Sequence, residues 1–252
     1  MTMIRDLLLK EIHELQNDYQ REYSEKATLL KKNVLDTAFK KIEIRKIAEL
    51  GCVWGVNGFY GRYMAQKHSP DQVTMVDAIW NEEAKKLCSC HGNIKMVDGD
   101  FTDLRMPETI GKVDAVVFFD ILLHLVSPDW NYVLEMYAPF TRSFLVVNPQ
   151  FTGCRNSVRL LDLGNEEYFK NIPHSIEYPI YKRVFENPYQ IDSYSKKPLR
   201  DTFYIWQWGI TNHGLIDVME QLGYELWYLE RDKLVYGKER NFINHAFIFV
   251  KD

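Results

Sequence analysis

The sequence predicts an α/β protein built around a buried, mostly parallel sheet. Three observations lead there: short apolar runs alternate with helix-like stretches from Lys46 onward, a glycine-rich turn follows the first of those runs, and two strand-like segments close the chain. With 252 residues the chain is long enough for one domain with insertions and a sizeable core. A hydrophobic share of 46% and an aromatic share of 14% exclude a disordered chain and leave rings available to line a pocket or an interface.

The opening segment has apolar residues at Ile4, Leu7, Leu8, Ile12 and Leu15, then at Leu29, Leu30, Val34 and Phe39, a spacing that predicts helices facing a core on one stripe. Strands are predicted at Ile47–Leu50, Val73–Val76, Ile94–Val97, Val113–Phe119 and Phe144–Val147, short apolar runs that suit a buried parallel sheet. The stretch from Gly153 to about Pro198 breaks the rhythm with four prolines and many tyrosines, and reads as an insertion. A helix over Asn212–Leu222, ended by Gly223, precedes strands at Tyr224–Leu229 and Asn241–Val250, joined by the polar run Glu230–Arg240. The expected layout is one domain: a helical cap over 1–45, a core over 46–150, an insertion over 151–210, and a C-terminal helix and strand pair over 211–252.

A net charge of −4 gives no general attraction to polyphosphate, so nucleic acid is disfavoured as a partner. Lys31-Lys32, Lys40-Lys41 and Lys85-Lys86 read as solvated helix faces. Cys52, Cys88, Cys90 and Cys154 lack zinc-site spacing and read as reduced thiols, and no metal site is expected. Neither a signal peptide nor an apolar run of about 20 residues is present, so a soluble, cytoplasmic protein is expected, with a homodimer left open.

The chemistry starts at Ile47-Ala48-Glu49-Leu50-Gly51-Cys52-Val53-Trp54-Gly55, where a strand runs into a glycine turn and a helix follows; glycine lets backbone approach a ligand, and a helix start offers free N–H groups. Some twenty residues on, Asp77 ends the second strand, placed either to accept hydrogen bonds from ribose hydroxyls or to cap the next helix. Val97-Asp98-Gly99-Asp100-Phe101 and Asp114-Ala115-Val116-Val117-Phe118-Phe119-Asp120 repeat the pattern of a strand ending in an acidic residue.

In this order the motifs resemble the class I S-adenosylmethionine-dependent methyltransferases, whose first motif reads acidic-x-Gly-x-Gly-x-Gly. The resemblance covers about residues 45 to 150 and, more loosely, the C-terminal strands; it also touches methyltransferases of cell-surface polysaccharide pathways. It implies a Rossmann-like, seven-stranded, mostly parallel sheet with flanking helices, an antiparallel C-terminal strand pair, an N-terminal helical extension and an insertion after the fifth strand. It implies S-adenosyl-L-methionine as cofactor and S-adenosyl-L-homocysteine as product. Gly51 and Gly55 would lie against the methionine part, Asp77 on the ribose, Asp100 and Phe101 at the adenine, and Asp120 beside the methionine end. Glu49, Cys52, Val53, Ala78 and Ile121 complete the implied cofactor contacts.

One position departs from the family. Val53 stands where the motif has its middle glycine, and a side chain there is expected to narrow the backbone's approach, so that the turn opens or the ligand shifts. Val53 also keeps open a methyltransferase-like protein without catalysis. A nicotinamide dehydrogenase is disfavoured, because a pyrophosphate needs that close approach.

Methyl transfer from a sulfonium is an in-line displacement, and a hydroxyl acceptor needs a base. His124, in Asp120-Ile121-Leu122-Leu123-His124, follows the fourth strand and suits that role; packing against a backbone carbonyl is the alternative. Asp120 is counted with it as catalytic. His174 and His213 are second candidates, His174 also readable as a surface-loop residue and His213 as part of a capped helix start. Trp206, Gln207 and Trp208 form a candidate substrate wall, or else fill the core, and Tyr19 and Tyr23 a candidate lid, with His213 counted among the substrate contacts. Arg155, Arg159, Lys182, Arg183 and Arg200 could meet an anionic substrate. The expected function is O-methylation of a small molecule, with a carbohydrate hydroxyl as first choice, and N-methylation or RNA methylation as alternatives. No Asn-Pro-Pro-Tyr-like motif follows the fourth strand, which argues against adenine N-methylation.

Overall fold

The structure, a computed structural model, describes residues 28–236 and 241–251. Helix α1 covers residues 28–41. The chain then alternates through β1 (Lys46–Leu50), α2 (Phe59–Lys67), β2 (Gln72–Asp77), α3 (Glu82–Cys88), β3 (Ile94–Asp98), α4 (Met106–Ile110), β4 (Val113–Phe119), α5 (Trp130–Tyr137) and β5 (Thr141–Phe151). The predicted strands are all present, and β1 to β5 are parallel neighbours.

Side-chain alternation explains the layering. In β4, Val116 and Phe118 enter one cluster with α4, α5 and α8 (Asn212–Gln221), while Ala115, Val117 and Phe119 enter another with α1, α2 and α3. Both faces of the strand are covered, so nearly every residue in it is apolar. On α1 the stripe Leu30, Val34, Leu35 and Ala38 faces the second cluster.

Seven strands form one sheet in the order β3-β2-β1-β4-β5-β9-β8, with β8 at Glu225–Tyr236 and β9 at Phe242–Val250. Only β9 runs against the rest: it is antiparallel to β5 and to β8, so β8 points the same way as β1 to β5. Two strands run longer than expected. β5 continues to Phe151 because β9 pairs with it past the end of β4, up to Phe151–Phe242. β8 takes in much of the predicted polar connection, because an edge strand needs only one apolar face.

Chain order reverses between β1 and β4, and at such a switch point the two connections diverge and leave a crevice beyond the strands' C-terminal ends. The segment after β5 carries β6 (Val158–Arg159), α6 (Asn165–Asn171), α7 (Pro179–Glu186) and β7 (Trp208–Gly209), with an aromatic-rich cluster of its own that includes Leu160, Tyr168, Tyr181 and Trp206. Among the described residues no helix is long and apolar enough to cross a membrane.

Candidate active site at the switch point

The turn after β1 is held from below: the Gly51 N–H donates to the Val76 carbonyl at 2.9 Å. Gly51 has φ +65°, a region that suits glycine, and a Cβ on it would stand 3.0 Å from Ile121 and 3.4 Å from Phe101. Three groups that the sequence assigns to separate motifs therefore converge on one point above the switch. Gly55 has φ +71°, and Gly58, φ +71°, stands at the start of α2.

Val53 does not crowd this turn as expected. Its side chain is buried within the α1–α2 cluster, and its N–H donates to Asp77 Oδ2 at 2.7 Å. The N–H of Ile79 reaches Asp77 Oδ1 at 2.9 Å, so the carboxylate braces two turns at once. Burial raises the Asp77 pKa, against the pull of the Val53, Ile79 and Ala78 N–H groups. Asp77 is not the cap of α3; Asn81 is, accepting from the Ala84 N–H at 2.8 Å. Ala78 is exposed at the rim.

On the far side, Asp100 Oδ1 accepts from the Thr102 N–H and hydroxyl, and Tyr137 donates to the Phe101 carbonyl at 2.7 Å. These bonds orient the Phe101 ring toward Gly51. Cys52 is buried beneath the turn, its thiol 3.7 Å from the Val76 carbonyl.

Beneath the turn lies a charged cluster that the sequence reading missed in part. Lys31 of α1, 7% exposed, forms an ion pair with Asp120 Oδ2 at 2.5 Å, and its ammonium stands 5.2 Å from the centre of the Tyr60 ring. Burial works against the Lys31 charge, and Asp120, Tyr60 and Glu49 overcome it, so its pKa stands above the usual lysine value. Asp120 sits at φ +56° immediately after β4. Its Oδ1 is buried without a hydrogen-bond partner, and so is Glu49 Oε2. Burial pushes the Glu49 carboxyl up to about 8, against the Gly61 N–H and Lys31. Gly61 allows the close fit, since a Cβ there would lie 2.8 Å from Glu49 Oε2. A signal for Lys31 existed: it precedes Val34 by three residues and Leu35 by four, which puts it on the apolar stripe and not on the solvated face.

His124 ends a single 3-10 turn, Leu122–His124. Its Nδ1 lies 2.8 Å from the Ile205 carbonyl, which only accepts; Nδ1 therefore carries the proton and Nε2 keeps its lone pair. Burial lowers the His124 pKa, outweighing the Ile205 carbonyl and Asp120, and keeps the ring neutral.

The expected substrate wall is rearranged. Trp206 is buried against Phe242, ring centres 4.9 Å apart. Gln207 is fully buried; its amide nitrogen donates to the Arg200 and Thr202 carbonyls and so ties a loop, while its Oε1 is buried without a hydrogen-bond partner. Trp208 donates to the Leu125 carbonyl at 2.8 Å, and the Gln207 N–H to the Leu123 carbonyl at 3.1 Å. Together with the His124 bond, these contacts stitch the inserted segment to the turn after β4. A further aromatic group lies elsewhere: Trp54, in the glycine turn itself and partly buried, meets the exposed Phe203 edge-on at 5.9 Å, and the partly buried Tyr194 stands 6.5 Å from Phe203. Its signal was Trp54 inside the first motif.

Four of the remaining candidates have partners of their own. His213 is half exposed on the first turn of α8, 3.4 Å from Asp217, behind the Thr211 cap. His174 is not a bare loop residue; it stacks on Tyr181. Arg159 and Arg200 are engaged by Asp201 and Asp162. Tyr19 and Tyr23 lie outside the described residues.

No protein-family model matches the chain, and no curated protein matches its sequence. Solved structures do resemble it. A 1,6-didemethyltoxoflavin-N1-methyltransferase from Burkholderia thailandensis, with substrate and S-adenosylhomocysteine bound, shares 12% identity over 99% of this chain and 88% of its own, with a TM-score of 0.59. An O-methyltransferase family protein from the same organism shares 13% identity over 94% of this chain, which spans 59% of that protein, with a TM-score of 0.56. The N-terminal domain of EvdMO1, in the presence of S-adenosylhomocysteine and D-fucose, shares 13% identity over 92% of this chain and 84% of its own, with a TM-score of 0.54. At these identities the likeness establishes architecture, and the architecture agrees with the motifs read from the sequence: this chain has the Rossmann-like fold of the class I methyltransferases.

Proposed function

We propose that the protein is an S-adenosylmethionine-dependent methyltransferase that O-methylates a small molecule, with a carbohydrate or sugar-derived hydroxyl as acceptor. One observation carries the reading: Gly51, Phe101 and Ile121 meet around a space that a single Cβ would fill, at the switch point, with the Asp77 and Asp120 carboxylates on either side. Unpartnered buried oxygens on Glu49 and Asp120 fit a ligand with its own donors there. Gly51, Phe101, Ile121 and Asp77 would hold the cofactor. When bound, it supplies a methyl group on a sulfonium.

The chain's own work is then to position a hydroxyl and take its proton. His124 supports this with Nε2 as the accepting atom, since the Ile205 carbonyl fixes the ring and the lowered pKa keeps it unprotonated. An amine acceptor needs no such base, which is why a hydroxyl is favoured over N-methylation. The sugar reading draws on the Trp54–Phe203 rim, since ring faces stack on the C–H faces of sugars, and on the D-fucose studied with EvdMO1. Four free thiols suit a reducing compartment such as the cytoplasm.

Calorimetry with S-adenosylhomocysteine tests the cofactor: micromolar binding is expected, and no heat at ~1 mM ligand sinks the proposal. Once an acceptor is in hand, His124→Ala is expected to lower turnover about 100-fold or more with cofactor affinity unchanged; turnover within three-fold or so removes it as the base.

A further inference from the structure

Lys31 lies outside every motif that places the cofactor, yet it is buried and paired with Asp120 at the end of β4. It comes from α1, before the first strand of the sheet, and extends between the Tyr60 and Phe119 rings to Asp120. A buried ammonium with one carboxylate partner retains two further N–H donors. Within the same cluster, Asp120 Oδ1 and Glu49 Oε2 are buried acceptors without donors. Groups left unpaired in the interior cost about 1–3 kcal/mol each, and a ligand with the opposite groups relieves that cost. The complement of one buried ammonium and two unmatched carboxyl oxygens is a carboxylate next to an ammonium, the head group of an α-amino acid.

We infer that Lys31 binds the carboxylate of the cofactor's amino-acid end, with Asp120 and Glu49 facing its ammonium, and that the Lys31–Asp120 pair holds this place in the free protein. The inference rests on the cofactor reading above. It makes α1 part of the binding site, and the zwitterion adds no net charge to a cluster already carrying both signs.

The test compares S-adenosylhomocysteine with its decarboxylated form, S-adenosyl-3-thiopropylamine, which keeps the ammonium and the adenosine. Wild-type protein is expected to bind the complete ligand at least ten-fold more tightly, about 1.4 kcal/mol. Lys31→Met is expected to bind the two alike, having lost affinity only for the complete one, and Lys31→Arg to keep most of the preference. A preference that survives in Lys31→Met overturns the inference, and so does a wild-type protein that does not discriminate. The second comparison needs no variant and holds even if Lys31→Met fails to fold, which its melting curve reports. If the decarboxylated ligand binds well and Lys31 is indifferent, the cofactor reading stands and this inference falls; if wild-type protein binds neither ligand, both fall.

Discussion

The crevice over β1 and β4 and the inserted segment between β5 and α8 carry similar chemistry in the sequence, acidic and aromatic residues beside glycine, but fold it to opposite ends. In the crevice the polar groups sit at strand ends, where the backbone has finished pairing: Asp77 braces the Val53 and Ile79 N–H groups, and Asp120 leaves β4 at φ +56°. In the insertion, which has no large sheet behind it, the rings are needed as filling. Trp206, Tyr168 and Tyr181 form its interior, and Gln207 ties its loop. A small appended layer must use its largest side chains for its own core, and the ring it leaves exposed beside the turn is Phe203, edge-on to Trp54.

That contrast can be broken by separating stability from binding. Trp206→Ala is expected to cost about 3–5 kcal/mol of stability, the range for emptying a large aromatic site, while S-adenosylhomocysteine affinity in the protein that remains folded stays within about two-fold. Denaturant melts and calorimetry on one preparation would show both. A many-fold loss of affinity with little change in stability would return Trp206 to the site. The converse comes from Asp77→Ala, for which a loss of about 1–3 kcal/mol of cofactor affinity is expected. Since the Asp77 carboxylate also braces the glycine turn, Asp77→Asn sharpens the reading: it keeps an acceptor oxygen and is expected to lose less. Unchanged affinity in both variants would sink the ribose assignment.

What the sequence revealed follows the same division. The sheet was legible because β1 and β4 need apolar residues on both faces, and the glycine turn because φ +65° at Gly51 favours one residue type. Gly51, Phe101 and Ile121 belong to motifs read separately, and the fold brings them within contact. Less legible were features set by direction. Val53 looks like an obstruction until its side chain is seen to turn into the core, and Lys31 looks like half of a surface pair until its place on the α1 stripe is counted. Gln207 stayed open between two readings because a carboxamide beside two indoles suits a sugar site and a buried loop tie equally well.

A pH-dependent effect distinguishes the polar floor of the crevice from an ordinary ion-pair network. In a network built for stability the carboxylates are charged and paired; Glu49 is buried, lacks a partner for Oε2, and ionises only near 8 against an ordinary 4.5. The folded state therefore holds this proton more tightly than the unfolded chain does. The contribution is fully present below about 4.5, declines as pH rises, and is gone above about 8, with a slope approaching about 1.4 kcal/mol per pH unit if Glu49 acted alone. Glu49→Gln, close in shape and unable to ionise, removes this decline, so its stability relative to wild type should rise steadily between pH 5 and pH 8, read from urea midpoints at matched ionic strength. A constant difference across that range would mean that Glu49 is charged and paired throughout. The floor would then be a structural ion-pair network, and the crevice and the insertion would differ in shape without differing in the state of their buried polar groups.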